Sequence, residues 1–290
     1  MKVNIDLHVH SVFSDGMLTP EQLIDVAYAE NLSAMAITDH DNVIAYDIAK
    51  KYSEQKAQEL EKPLLEIIPG IEVNTLWENT EVHVLGYYMD GEKQEFQDLI
   101  KYQQHARIDQ TIKIVEKLNK LNIGVTMEDI KSYVAEGGSI GRPHIARAIV
   151  KAGGTDSMLK AYNKFIVDSA PTYVKRNTVS PHEAVEIIYE AGGIPVVAHP
   201  YNVENAENLI KDLVNYGLRG IEAYHRKHSP AMVEYYSTMA ETYGLIVTGG
   251  SDFHAPLPNN QIMLGKNFVP AWIVEELKKE KARLELAEFK

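Results

Sequence analysis

Short apolar runs recur along this chain with longer stretches of helical periodicity between them, and that alternation restricts the fold more than any other feature. The runs are Val3 to Leu7, Ala34 to Thr38, Glu66 to Asn74, Glu81 to Tyr88, Ile194 to Ala198, Gly220 to Tyr224 and Leu245 to Thr248. Strands that alternate with helices pair in parallel and are covered by those helices, so the pattern predicts an α/β fold around a parallel sheet. Two helix starts are explicit. Thr19-Pro20-Glu21-Gln22 puts a capping threonine before a first-turn proline with Gln22 at the reciprocal position, and Ser180-Pro181-His182-Glu183 repeats the device.

The alternation breaks between Gly91 and Asn177. Glu92 to Leu121 reads as one long helix, and shorter helical patterns follow at Met127 to Ala135, Arg142 to Ala152 and Asp156 to Val167. Glycine pairs at Gly137-Gly138 and Gly153-Gly154 punctuate them. The expected organisation is a main domain of residues 1–90 and 178–290 with a helical insertion, or cap, at 91–177. A length of 290 residues suits one large α/β domain carrying such an insertion. Ala271 to Lys290 mixes Glu and Lys at helical spacing and reads as a solvated terminal helix.

The chain has no cysteine, which excludes disulfides, thiolate zinc sites, iron–sulfur clusters and cysteine nucleophiles. Any metal must be held by imidazole and carboxylate. A formal charge of −12 argues against a broad basic surface for long nucleic acid and leaves an anionic substrate to a locally positive pocket. No apolar run approaches the roughly 18 to 20 residues that cross a bilayer, and MKVNIDLHVH has no apolar signal core. The expectation is a cytoplasmic protein with no membrane partner.

Metal-competent side chains gather at the ends of the expected strands. His8 and His10 follow the first run, and residues two apart in extended chain project to one face, where both imidazoles can reach one ion. Asp15 comes shortly after, Thr38-Asp39-His40-Asp41 ends the second run, Glu72 lies in the third and His83 opens the fourth. Far downstream, His199 ends another run, and Asp252 and His254 end the last. Ligand types at strand ends so distant in sequence are what a barrel-like α/β fold assembles at its catalytic face. Each histidine taken singly reads better as a capped or core residue satisfied by a hydrogen bond; six of them together with Asp15, Glu72 and Asp252 do not.

The segments HVHSVFSDG, ITDHD, PGIEVN, HVLGYY, AHP and GGSDFH, in this order, resemble the polymerase-and-histidinol-phosphatase (PHP) family of metal-dependent phosphoesterases. Within it, Gly141-Arg142-Pro143-His144-Ile145-Ala146 and Pro171-Thr172-Tyr173-Val174-Lys175-Arg176 are similar to the subgroup of nucleoside 3′,5′-bisphosphate phosphatases and a related exoribonuclease. The resemblance implies a distorted (β/α)7 barrel and three divalent metal ions, with manganese, iron and zinc all compatible with the ligand types. It assigns His8, His10, Glu72 and Asp252 to one ion, a shared Glu72 with His83 and His199 to the second, and Asp15, His40 and His254 to the third. Glu72 would bridge the two ions that activate hydroxide.

The implied substrate is a small phosphorylated nucleotide, with the 3′-phosphate of a 3′,5′-bisphosphate favoured and the 5′-3′ cleavage of short RNA as the near alternative. A histidinol-phosphate-type phosphatase, an amidohydrolase and a metal-stabilised interaction module are the other readings. Arg142 and His144 open a helix whose free amides favour an anion, and Lys175 and Arg176 could form a second clamp. His228 and, less strongly, His225 could border the phosphate pocket. Asp39 and Asp41 are candidate acceptors for ligand imidazoles. His105 and His182 read as solvated.

Overall fold

Seven strands form around the apolar runs: β1 (Asn4–Val9), β2 (Leu32–Ile37), β3 (Glu66–Trp77), β4 (Thr80–Tyr87), β5 (Ile194–Val197), β6 (Gly220–His225) and β7 (Ile246–Gly250). The computed structural model describes residues 4–288; Val3, Phe289 and Lys290, which the sequence pattern places in the first strand and the last helix, lie outside them. The strands make one sheet in chain order. A bridge between Val9 and Phe253 joins the end of β1 to the segment after β7, so the sheet curls into a nearly closed barrel.

The expectation of an all-parallel sheet is corrected at one strand. β1, β2 and β3 are parallel, as are β5, β6 and β7, but β4 runs antiparallel to both β3 and β5. The cause is local. β3 and β4 are joined by a tight turn at Glu78-Asn79, with Glu78 in the left-handed region at φ 54°. A parallel pair needs a crossover of about a dozen residues or more, which this link cannot provide. Reversal has a consequence for the site: the beginning of β4, not its end, lies beside the catalytic ends of the other strands, and Asn74 pairs with His83 in register.

Helices surround the barrel. They are α1 (Pro20–Ala29), α2 (Ala45–Leu60), α3 (Gln94–Lys120), α4 (Met127–Lys131), α5 (Arg142–Lys151), α6 (Met158–Ala161), α7 (Pro181–Glu190), α8 (Ala206–Leu213), α9 (Pro230–Tyr243) and α10 (Trp272–Glu288). The two helix starts read from sequence are capping boxes, Thr19 with Gln22 and Ser180 with Glu183. The helix expected over Asp156 to Val167 is instead α6 followed by a π-helical turn at Tyr162–Ile166.

Side chains on successive strand positions go to opposite faces, and the packing follows that period. Ile5, Leu7, Ala34, Ala36, Leu85, Tyr87 and Val196 share a buried cluster with Ile273, Val274 and Leu277 of α10. Val9, Met35 and Ile37 pack instead with Leu23 and Ile24 of α1 and Ala45 and Ala49 of α2. Between β4 and α7 the chain builds a separate cluster: Ile114 and Leu118 of α3 meet Ile130, Ile145, Ile149 and Phe165. Fully burying one such side chain contributes about 1.5–3 kcal/mol, so these helices have a core of their own. The front half of α3 is tied to the barrel, with Phe96 and Leu99 packed beside Ile188 of α7.

Candidate metal centre

The fold brings all of the expected ligand residues to one place. Glu72, fully buried on β3, is the hub. Its Oε2 lies 3.3 Å from His8 Nε2, 3.2 Å from His10 Nε2 and 3.1 Å from His40 Nδ1. Its Oε1 lies 2.7 Å from His83 Nδ1 and 3.1 Å from His199 Nε2. Asp252 Oδ1 stands 3.6 and 3.5 Å from the Nε2 atoms of His8 and His10. Asp15 Oδ1 is 3.2 Å from His254 Nε2 and 3.9 Å from both His40 Nε2 and His10 Nδ1. His40 is thus nearer Glu72 than Asp15 and stands between two groupings.

The polar atoms at this hub call for a ligand. His8 Nε2, His10 Nε2, His40 Nδ1, Glu72 Oε2 and Asp15 Oδ1 are all buried without a hydrogen-bond partner. Folded proteins pair nearly every buried polar atom, so four orphans converging at Glu72 Oε2, with Asp15 Oδ1 in the adjoining group, fit cations that the protein atoms themselves do not replace. Three overlapping donor sets have their atoms within 4.8 Å of one another: His8, His10 and Glu72; His40, Glu72 and His83; and His10, Asp15, His40 and His254. Imidazole nitrogen with carboxylate oxygen is a donor set suited to a divalent transition ion.

Electrostatics agree. Burial pushes the Glu72 carboxyl up, but His83, His40 and His8 overcome it and hold it well below the usual carboxylate range. Asp15 is likewise held low against burial by His254 and His40. His254 is pushed up to about 10, because Asp15 and Asp252 outweigh its own burial. Cationic imidazole therefore compensates buried carboxylate here, and a divalent ion would take the place of those protons.

A further layer orients the donors. Glu222, fully buried on β6, accepts from His8 Nδ1 at 3.0 Å and from the His199 backbone N–H at 2.8 Å. That bond leaves the His8 Nε2 lone pair facing Glu72. Asn74 and His83 meet side chain to side chain, with Asn74 Nδ2 2.7 Å from His83 Nε2 and Asn74 Oδ1 left buried and unpaired. Turning the amide over lets Oδ1 accept from Nε2–H, which leaves the His83 Nδ1 lone pair toward the hub.

Asp39 and Asp41 are buried, but neither bonds a ligand imidazole, which corrects that expectation. Asp39 accepts from the Ser11 N–H at 2.7 Å and from the Ser11 and Ser14 hydroxyls at 2.5 and 2.6 Å. It reaches His10 only through Ser14, whose Oγ is 3.4 Å from His10 Nδ1. Asp41 accepts from Arg107 Nε at 2.6 Å and lies 3.6 Å from Arg176 Nη1. It anchors the helical segment instead of a ligand.

A cavity of about 600 Å³ opens over the hub, walled by Asp15, His40, Glu72, His83, His199, Asp252 and His254. Arg142, Tyr201 and Lys227 also line it. Beside it, Arg107, Arg142 and Arg176 line a small pocket with Glu81, Asp15, His40 and His83. Arg142 is paired with the Glu81 carboxylate. Burial, helped by neighbouring Arg107, pushes Arg176 down to about 9. Arg107 Nη2 and Arg176 Nε and Nη1 are buried without a hydrogen bond, Arg176 Nη1 keeping only its ion pair with Asp41.

The other expected substrate residues fall elsewhere. Lys175 is exposed, bonds Asn79 Oδ1 at 3.1 Å, and lines a separate outer cavity with Tyr102 and His105. His144 is buried and spends Nδ1 on accepting the Gly141 N–H at 3.0 Å, which shapes the turn that presents Arg142. His228 bonds the Ala223 carbonyl at 2.8 Å and packs on Tyr236 with ring centres 5.0 Å apart, behind the cavity wall. His225 comes closer to the centre, with Nε2 3.6 Å from Asp252 Oδ2. His182 bonds Asp212 at 2.7 Å and His105 is exposed, both away from the hub.

Known proteins place this geometry. Residues 6–179 match the PHP domain family. The 5′-3′ exoribonuclease Rnm of Salmonella typhimurium is 31% identical over 273 residues, covering 92% of this chain and 90% of that protein. The 3′,5′-nucleoside bisphosphate phosphatase of Chromobacterium violaceum is 31% identical over 257 residues, covering 87% and 88%. A solved structure from Bifidobacterium adolescentis, described as a metal-dependent phosphoesterase, superposes with a TM-score of 0.84 at 31% identity over 95% of each chain. The chain belongs to the PHP domain family and is a metal-dependent phosphoric ester hydrolase.

Proposed function

We propose that the enzyme removes the 3′-phosphate of nucleoside 3′,5′-bisphosphates, and that residues 91–177 form a cap that grips the second phosphate. The observation that carries this reading is the arginine pocket beside the histidine–carboxylate hub. A simple phosphomonoester needs the hub alone. The buried guanidiniums of Arg107 and Arg176 and the half-buried one of Arg142, set against Asp41 and Glu81 and with nitrogens free of hydrogen bonds, suit a second anionic group on the same molecule.

In this reading His8, His10, Glu72 and Asp252 hold one ion, Glu72, His83 and His199 a second, and Asp15, His40 and His254 a third. Bound divalent ions supply an acidified water as nucleophile and withdraw charge from the phosphoryl oxygens. Glu72 suits a bridge because its two oxygens face different imidazoles. Glu222, Ser14 and Asn74 hold the ligand rings in fixed orientations. Glu81 keeps Arg142 at the cavity wall, and a guanidinium with five N–H donors retains others for phosphate.

The test is phosphate release from adenosine 3′,5′-bisphosphate, AMP and histidinol phosphate by Mn²⁺-loaded protein, before and after chelation. The bisphosphate should give the highest kcat/KM, and chelation should abolish turnover until metal is returned. Equal rates on all three, or activity that survives verified metal removal, would contradict the proposal. Cleavage of short RNA from its 5′ end breaks the same kind of bond, and the open cavity lined by Tyr201 and Lys227 favours it as a second activity.

A further inference from the structure

Tyr201 and Lys227 stand together on the cavity wall, in the loops after β5 and β6. Lys227 Nζ donates to the Tyr201 hydroxyl at 2.8 Å and lies 5.3 Å from the ring centre. Behind the ring, His225 lies nearly parallel, with centres 5.9 Å apart and planes 12° apart, and His228 meets it edge-on at 5.7 Å. The phenol is therefore held rigid from behind, with an exposed ammonium at its edge. Arg226 adds a second cation, 4.0 Å from Asp252 Oδ2. A bisphosphate with one phosphate at the hub and the other among the arginines uses none of these groups.

We infer that this wall binds the nucleotide on the 3′ side of the scissile phosphate, so that the same centre takes the 5′ end of short RNA. The inference rests on the reading of the arginine pocket as the site of the 5′-phosphate. Given that anchor, direction follows from connectivity. The 3′-phosphate of the first nucleotide sits at the hub, and the chain continues from it through O5′ of the next nucleotide, away from the arginines. The arginines line the inner pocket with Asp15, His40 and His83, whereas Tyr201, whose ring is 6.2 Å from that of His199, lines only the open cavity over the hub. The next base stacks on Tyr201 and the next phosphate meets Lys227, the pairing of aromatic face and cation that single strands require.

The chemistry is that of the bisphosphate. A water oxygen bonds to phosphorus, the P–O3′ bond breaks, and the proton released by water ends on O3′. The first nucleotide leaves as its 5′-monophosphate. The shortened strand keeps the phosphate on its new 5′ end, which is the group the arginine pocket holds, so successive rounds proceed 5′ to 3′. With the bisphosphate, inorganic phosphate takes the place of the shortened strand and nothing reaches Tyr201.

Lys227→Ala and Tyr201→Leu separate the two substrates. With a 5′-phosphorylated trinucleotide each variant should raise KM about tenfold, the scale of losing one stacking or phosphate contact. Turnover of adenosine 3′,5′-bisphosphate should stay within about threefold of wild type, which also shows that the variants fold. The dependence of log kcat/KM on log salt for the trinucleotide should flatten by about 0.7 in Lys227→Ala. Equal losses on both substrates, or no loss on the trinucleotide, would overturn the inference. If wild type hydrolyses the bisphosphate and leaves the trinucleotide intact, the inference fails while the bisphosphatase reading stands. If metal-loaded protein hydrolyses neither, the reading of the arginine pocket fails with it.

Discussion

Replacing Glu222 with Gln tests whether a residue that touches neither ion nor substrate governs the centre. Each carboxylate oxygen of Glu222 accepts one bond, from His8 Nδ1 at 3.0 Å and from the His199 N–H at 2.8 Å. Glutamine keeps the shape but has one acceptor oxygen and sets an NH₂ against the other donor. An unpaired buried donor costs about 1–3 kcal/mol. Loss of an outer partner of a metal-bound histidine lowers metal affinity by about 10- to 100-fold, or about 1.4–2.7 kcal/mol, so the two magnitudes agree. Charge adds to this. Burial pushes the His8 imidazole down, yet Glu222 and Glu72 together hold it well above its usual range, so the negative charge of Glu222 is felt at the ring. Competition between the protein and a fluorescent chelator for Mn²⁺ measures the effect directly. The expected result is one weakened ion, with kcat recovering as Mn²⁺ is raised. Wild-type affinity for every ion, with kcat unchanged, would refute the orienting role.

Glu72→Gln should reduce turnover by orders of magnitude even in metal-loaded protein, and near-normal turnover would exclude it as the bridge. Asp41→Asn leaves Arg107 and Arg176 buried without their carboxylate, a loss on the scale of about 3–5 kcal/mol, and calorimetry should show a lower Tm. An unchanged melting curve would mean that the buried pairs contribute nothing net. His144 gives a pH dependence. Burial lowers its pKa to about 4 from about 6.5, so below pH 6.5 the unfolded chain binds a proton that the folded one refuses. That stability is present above pH 6.5 and lost as pH falls toward 4. Urea midpoints against pH should fall less steeply in His144→Gln, and parallel curves would contradict the assignment.

Most residues of the hub were readable because they lie at strand ends, where an imidazole or carboxylate interrupts an apolar run, whereas Glu72 lies within β3 and Asp15 in the loop after β1. His8-Val9-His10, Asp39-His40, Ala198-His199 and Asp252-Phe253-His254 all have this form. Glu222 has no such signal. In an alternating strand it looks like a solvent-facing residue, and only the near-closure of the barrel sets it against His8. Arg107 sits within the polar pattern of α3, and its role depends on which way that helix is laid against Asp41. The direction of β4 was legible in the short link between its strand and the one before, but strand–helix alternation elsewhere outweighed it. His144 and Lys175 share motifs with arginines that line the pocket, but helix capping and turn geometry send their side chains elsewhere, His144 Nδ1 to the Gly141 N–H and Lys175 to Asn79.

The most direct test of the account is the identity of the products formed from adenosine 3′,5′-bisphosphate by Mn²⁺-loaded enzyme. The proposed reading, in which the arginine pocket holds the 5′-phosphate while the histidine–carboxylate hub works on the 3′-ester, predicts equal amounts of adenosine 5′-monophosphate and inorganic phosphate. Release of the 5′-phosphate to give adenosine 3′-monophosphate, or an intact substrate beside demonstrably filled metal sites, would contradict it.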